Sequence, residues 1–225
     1  MSVVSLMFPG GREKGKAVQV RESLKNNRYE IKEIFAYGGM GILFLAKDRR
    51  IFNNEVLVKA IKYQASEFGL DKQKALYNIY QLRQMFRRER RMICEIRNRG
   101  VNAIPHINDF FYDHNPELTT SYPFGKLEDE EHHDFLNVNI QVTQEPYLVM
   151  ERIHSGPLAA GITNLPRNDI LTIIRDILVI LSKMHEPRLR PDGTTLQIIY
   201  LDLKPENILV DLHGRITLID FGGAM

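Results

Sequence analysis

Asp202 and Asp220 stand in YLDLKPENILVDLHGRITLIDFGGAM, residues 200–225, with Lys204 and Asn207 between them. An aspartate of this kind can position a hydroxyl and take its proton. A lysine two residues on can neutralise charge on a transferring phosphoryl group. The oxygens of Asn207 and Asp220 suit a hard cation such as magnesium. DxKPEN followed by IDFG is therefore what a phosphate-transferring, magnesium-holding site needs.

Two upstream features can serve the same chemistry. In FAYGGMGIL, residues 35–43, Gly38, Gly39 and Gly41 let backbone approach a ligand closely and turn N–H groups toward phosphate oxygens. A strand follows this turn where a Rossmann turn or a P-loop would have a helix, so both of those are disfavoured. The other feature is a helix whose apolar residues Leu82, Met85, Phe86, Ile93 and Ile96 fall on one face. Glu89 lies on that face. A carboxylate turned inward needs a cation to offset its desolvation, and Lys59 is the candidate. Glu89 on an exposed helix edge is the simpler reading of the helix taken alone.

The elements that must carry these groups follow from pattern. Residues 1–27 are polar and read as a loose tail. RYEIKEIFAYGGMGILFLAKD (28–48) is strand, glycine turn, strand, and EVLVKAIKY (55–63) is a further strand. Residues 70–98 form a long helix; 103–113 and 146–153 are two more strands. Residues 114–145, with KLEDEEHHD, are an exposed insertion. RNDILTIIRDILVILSKMH (167–185) is apolar on nearly every face and predicts a buried helix. LQIIYLDL, NILVD and RITLID then read as short strands.

Taken together, these parts resemble a eukaryotic-like Ser/Thr protein kinase, particularly the bacterial type with a GGMG loop, over roughly residues 28–225. The resemblance implies an α+β, bilobal fold. Residues 28–153 would be a β-rich N-lobe with one long helix, and 154–225 a partial helical C-lobe ending just after DFG. It implies ATP and Mg²⁺ as cosubstrate and cofactor, and Ser/Thr hydroxyls of proteins as acceptors. Gly38, Gly39 and Gly41 would cover the phosphates; Lys59 would pair with them and with Glu89. Asp202 would accept the hydroxyl proton, Lys204 would steady the phosphoryl group, and Asn207 with Asp220 would hold the metal. Met150 would be the gatekeeper, Glu151 and Ile153 would offer backbone groups to adenine, and Phe35, Leu43 and Leu209 would sandwich the ring. Each of these apolar residues taken singly fits ordinary core packing equally well.

Four features depart from the family pattern: Ala36 in place of the first loop glycine, the triplet Tyr200-Leu201-Asp202, Leu57 before Lys59, and an end at Met225. A rival register uses Lys62 as the strand lysine; Lys59 has the better spacing from Gly41. The alternative function is a nucleotide-binding pseudokinase or scaffold. A small-molecule kinase of the same fold would lack the GGMG and KPEN combination. An incomplete C-lobe would leave an apolar surface through which the chain associates.

Composition agrees with a cytoplasmic setting. Net charge is +2, which gives no field aimed at nucleic acid, and the single cysteine, Cys94, cannot form an intramolecular disulfide. Cys94 reads as a buried thiol within the helix. No apolar run is long enough for a membrane span.

Overall fold

The computed structural model describes residues 2–11, 14–38, 41–62, 72–116, 131–133, 139–141, 144–161 and 165–222. The chain divides into two compact units, Met1–Phe86 with Asn108–Glu151, and Arg87–Ile107 with Arg152–Met225.

The first unit is built on strands β1 (Val3–Met7), β2 (Ala17–Arg21), β3 (Ser23–Leu24), β4 (Tyr29–Tyr37), β5 (Gly41–Asp48), β6 (Asn54–Ile61), β7 (Ile107–His114), β8 (Glu131–His133), β9 (Asn139–Gln141) and β10 (Gln144–Glu151). Six form one sheet in the order β3-β4-β5-β6-β10-β7. Register fixes which side chains share a face: Leu43, Lys59 and Leu148 lie opposite one another across β5, β6 and β10, as do Leu45, Leu57 and Met150. Alternation then sends Ile42, Phe44, Val58, Ala60 and Val149 to the other face. There they join Tyr29, Ile31, Ile34, Phe111 and Tyr147 in the main core.

That second face is where residues 1–27 depart from the expected loose tail. β1 and β2 pair as an antiparallel hairpin, and Phe8, Val18, Val20 and Leu24 are buried in the same core. Each such side chain contributes about 1.5–3 kcal/mol on burial, which is why the segment is not a tail. The signal is in β5 itself. Ile42-Leu43-Phe44-Leu45-Ala46 has no polar face, so both sides of the sheet need cover.

A charge network closes the sheet's far edge. Arg28 reaches Asp48 at 2.8 Å and Asp109 at 3.1 Å, Lys25 reaches Asp109 at 2.6 Å, and the Tyr29 hydroxyl donates to Asp109. Burial pushes the Asp48 and Asp109 carboxyls up, but Arg28 at Asp48, and Lys25 with Tyr29 at Asp109, outweigh it and hold both below the ordinary aspartate range. Each therefore favours the folded state above its unfolded pKa, and that contribution is lost as pH falls through the lower folded value. Asp48→Ala would strand Arg28 beside a vacated, fully buried position. It is expected to cost about 3 kcal/mol and to flatten the acid limb of a stability–pH profile measured by urea unfolding.

The second unit holds the C-terminal part of helix α1 (Lys72–Asn98), from Arg87 on, with helix α2 (Arg167–His185) and strands β11 (Gly156–Pro157), β12 (Arg188–Leu189), β13 (Thr195–Leu196), β14 (Ile208–Val210) and β15 (Ile216–Leu218). The sequence assigns all of 28–153 to one lobe; residues Arg87–Ile107 cluster with the second unit for a local reason. Buried Arg99 donates to the carbonyls of Met184, Glu186 and Leu196, and the Leu218 N–H donates to the Ala103 carbonyl at 2.9 Å. The bonds to Met184 and Glu186 satisfy carbonyls at the C-terminal end of α2.

Three further expectations are corrected. Helix α2 is amphipathic in place: Ile173, Ile177 and Met184 are buried while Leu171, Ile174, Leu178 and Val179 are exposed. Residues 197–203 are not a strand; the Tyr200 N–H donates instead to Nε2 of His185. Cys94 is exposed, because it falls one residue after buried Ile93 on α1. Within the expected insertion, β8 and β9 pair with each other, and residues 117–130, 134–138 and 142–143 lie outside the described residues. No helix among the described residues is long and apolar enough to cross a membrane.

Candidate active site

The second unit gathers Asp202, Lys204 and Asn207 by one local device. Pro205 opens a 3-10 turn, Pro205–Asn207, which folds Asn207 back over Asp202. The Asn207 side-chain amide donates to the Asp202 carboxylate at 2.8 Å and to its backbone carbonyl at 3.0 Å. Lys204 Nζ donates to the same carboxylate oxygen, Oδ2, at 2.8 Å. The Lys204 hydrogen bond, helped by Asn207 against slight desolvation, holds the Asp202 carboxyl below the usual aspartate range. The same bond raises Lys204. Asp202 is thus ionised and Lys204 charged at neutral pH. Asn207 as a donor to Asp202 is not legible in the motif alone; the signal is proline opening a turn between residues five apart.

Asp220 is carried to the same place by strand pairing. β14 and β15 are antiparallel, and the Ile219 N–H donates to the Asn207 carbonyl at 2.9 Å. Asp220 follows directly, with φ of 64°, a left-handed backbone that aspartate tolerates better than most residues. Buried Tyr200 ties the two segments: its hydroxyl donates to the Ile219 carbonyl at 2.7 Å, and its ring lies 5.2 Å from that of Phe221. The position that departs from the family triplet thus fastens the loop carrying Asp202 to the loop carrying Asp220. Burial pushes the Tyr200 phenol up, so it stays a donor.

Glu89 is buried on the apolar face of α1, with Phe86 and Ile93, whereas Met85 is exposed. A Cβ at position 222 would lie 3.4 Å from Asp220 Oδ1 and 3.9 Å from Glu89 Oε2. Position 222 thus lies within ordinary contact distance of two carboxylates. Their proximity also concentrates negative charge where cations are welcome.

In the first unit the glycine turn closes with the Gly38 N–H donating to the Gly41 carbonyl at 2.9 Å; Gly39 lies outside the described residues. A Cβ at Gly41 would sit 3.3 Å from Cε of Lys59, so the lysine stem runs directly beneath the turn. Lys62 is engaged elsewhere, over the rings of Phe8 and Tyr37 at 5.6 and 5.3 Å. Met150 is buried opposite Leu57. Leu43 is half-buried beside Lys59, Phe35 is exposed, and Glu151 is exposed at the end of β10. Ile153 and Leu209 belong to the second unit and are half-buried.

The family model for the protein kinase domain matches residues 29–225. The chain belongs to the protein kinase family. Among curated relatives, it is 26% identical over 200 residues to serine/threonine-protein kinase PrkC of Bacillus subtilis, covering 88% of this chain and 23% of that one. It is 25% identical over 213 residues to serine/threonine-protein kinase PknL of Mycobacterium tuberculosis, covering 93% and 40%. A shorter stretch of 90 residues, 39% of this chain and 12% of the relative, is 34% identical to serine/threonine-protein kinase YPK2/YKR2 of Saccharomyces cerevisiae. The kinase chain described here spans less than half the length of each of these relatives. The expected bilobal α+β kinase fold agrees with the family match and with the β-rich first unit.

The cation site can be tested against its donors. Asn207 and Asp220 offer oxygen ligands on hydrogen-bonded neighbouring segments, which suits a hard divalent ion. Among the described residues no group of three His, Cys, Asp or Glu could hold a metal unaided. Phosphate oxygens and water would have to complete the shell, as magnesium prefers.

Proposed function

We propose that this kinase domain transfers the γ-phosphoryl group of ATP to Ser/Thr hydroxyls of proteins. The observation that carries the reading is the Asp202–Lys204–Asn207 cluster, an ionised carboxylate oriented by two donors on Oδ2. Oδ1 is then the oxygen offered to a substrate hydroxyl, which it orients for in-line attack and whose proton it accepts. Lys204 offsets charge on the transferring group. Lys59, whose stem runs beneath the glycine turn, would bind phosphate oxygens. The turn's N–H groups cradle the same phosphates. By the family resemblance, Glu151 and Ile153 would offer backbone groups to adenine, and Met150, Phe35, Leu43 and Leu209 would contact its ring. Asn207 and Asp220 hold Mg²⁺, which when bound would neutralise phosphate charge.

The KPEN sequence supports Ser/Thr over Tyr acceptors, and so does the similarity to the serine/threonine-protein kinases PrkC and PknL. The test is transfer of label from γ-³²P-ATP to a mixed protein substrate, followed by phosphoamino-acid analysis. Phosphoserine and phosphothreonine are expected. Lys59→Met should lower transfer about a hundredfold, in the range seen when one charge-stabilising group is removed, and Lys62→Met far less. Equal losses would place the wrong lysine under the phosphates. ATP binding without transfer would favour the nucleotide-binding scaffold.

A further inference from the structure

The N-terminal hairpin lies before the residues matched by the family, yet it grips the strand that enters the glycine turn. Tyr37 is the last residue of β4 and pairs with Ile42 at the base of the turn. Its ring meets Phe8 edge-to-face, centroids 4.8 Å apart at 73°. Its hydroxyl donates to the carbonyl of Gly10. Lys62 Nζ stands over both rings. Gly11 has φ of 65°, and a Cβ there would come within 2.6 Å of the Tyr37 hydroxyl oxygen, so glycine is required on both counts.

Tyr37 faces the hairpin because of an irregularity in β4. Ile34 is opposite Phe44, but Ala36 is opposite Leu43, so Phe35 is an extra residue in the ladder. Beyond this bulge the alternation is inverted. Without it, Ala36 would be the residue beside Ile42 and Tyr37 would turn to the face of Lys59. With it, Tyr37 packs against the core that holds Phe8, Val18 and Val20. The other end of the hairpin is anchored well away from the turn, by Arg21 on Asp113 at 2.7 Å and by the Ile31 N–H donating to the Glu22 carbonyl at 2.9 Å. A braced arm thus ends on the residue next to Gly38.

We propose that Tyr37 is a positioning residue through which the N-terminal hairpin, by Phe8 and the Gly10 carbonyl, holds the glycine turn in its phosphate-binding form. The inference rests on the ATP-binding reading above. A glycine turn left to itself samples many conformations, and only the competent fraction binds; apparent affinity falls in proportion to that fraction. Tyr37 touches no substrate in this account. It acts only by raising that fraction, so its effect belongs to ligands that carry phosphate.

The experiment is calorimetric titration of the full chain with Mg-ATP and, separately, with adenosine. Tyr37→Phe, which keeps the ring and the fold, should weaken ATP about threefold to fivefold by losing one hydrogen bond. Phe8→Ala should weaken it about tenfold by losing the aromatic contact. Adenosine affinity should stay constant in both, and Phe8→Tyr should restore ATP binding. Amide exchange at Gly38 should quicken in step with the loss. A merely structural role would lower both affinities together or leave both unchanged, and either result overturns the proposal, as does unaltered exchange at Gly38. If Phe8→Ala does not fold, Tyr37→Phe with the exchange measurement still decides. Failure of the parent chain to bind ATP at all would instead overturn the ATP-binding reading, and this proposal with it.

Discussion

Asp202→Asn is expected to lower phosphoryl transfer about a thousandfold, within the range for loss of a positioned general base, while ATP affinity stays within about twofold. Shape is conserved in this exchange, and Asn207 and Lys204 still meet an oxygen or a neighbouring amide at position 202. What disappears is the negative charge that orients the hydroxyl and takes its proton. Single-turnover rates with γ-labelled ATP, set beside a binding isotherm, separate the two effects. The pH dependence gives a second check. Lys204 and Asn207 hold the Asp202 carboxyl below the ordinary range, so the parent rate should stay flat from neutral into mildly acidic pH as far as Asp202 is concerned, and fall only as pH drops through that lowered value. Lys204→Ala removes the larger cause and should bring the acid fall to higher pH. Strong transfer by the Asp202→Asn protein would remove this residue from the chemistry.

Asp220→Ala is expected to abolish the dependence of ATP affinity on magnesium. In the parent protein, ATP should bind at least tenfold more tightly with Mg²⁺ than with EDTA, a coupling of about 1.4 kcal/mol. The prediction follows from chemistry at one edge of β14 and β15. Asn207 supplies a neutral oxygen and Asp220 an anionic one, and only the latter gains much from a divalent cation. Asn207→Ala should cut the coupling in part and also slow transfer, because the amide has a second duty at Asp202. Calorimetry in the two buffers measures all three proteins. Identical isotherms for the parent in Mg²⁺ and in EDTA would support the scaffold reading.

Much of the site can be read from the sequence because it is local. DLKPEN carries its own geometry: Pro205 makes the turn, and the turn brings Asn207 to Asp202. Glu89 is legible because helical spacing puts it among Phe86, Ile93 and Ile96, all buried. Strand β6 is legible from its β-branched residues, whereas the preference for Lys59 over Lys62 rests on spacing from Gly41. What sequence does not disclose is long-range. The hairpin partners Phe8 and Tyr37 are far apart in the chain, and Tyr37 faces Phe8 only through a bulge that no single residue announces. The polar look of residues 12–16 masks the alternation of Val18 and Val20 just beyond. Helix α2 misleads in the opposite direction: its apolar content exceeds what its neighbours among the described residues cover, so composition alone overstates its burial.

The bracing of the hairpin also sets an order of events during synthesis. Val18, Val20 and Leu24 share a core with Phe111, Tyr147 and Val149, and Arg21 waits for Asp113, which is 92 positions later. A ribosome adding about 5–20 residues per second needs roughly 5–20 s to deliver that partner. For that interval the hairpin can meet only β4, β5 and β6 of its core, and the side chains that Phe111, Tyr147 and Val149 later cover remain open to a nascent-chain chaperone. The hairpin is thus made before the partners that lock it in place.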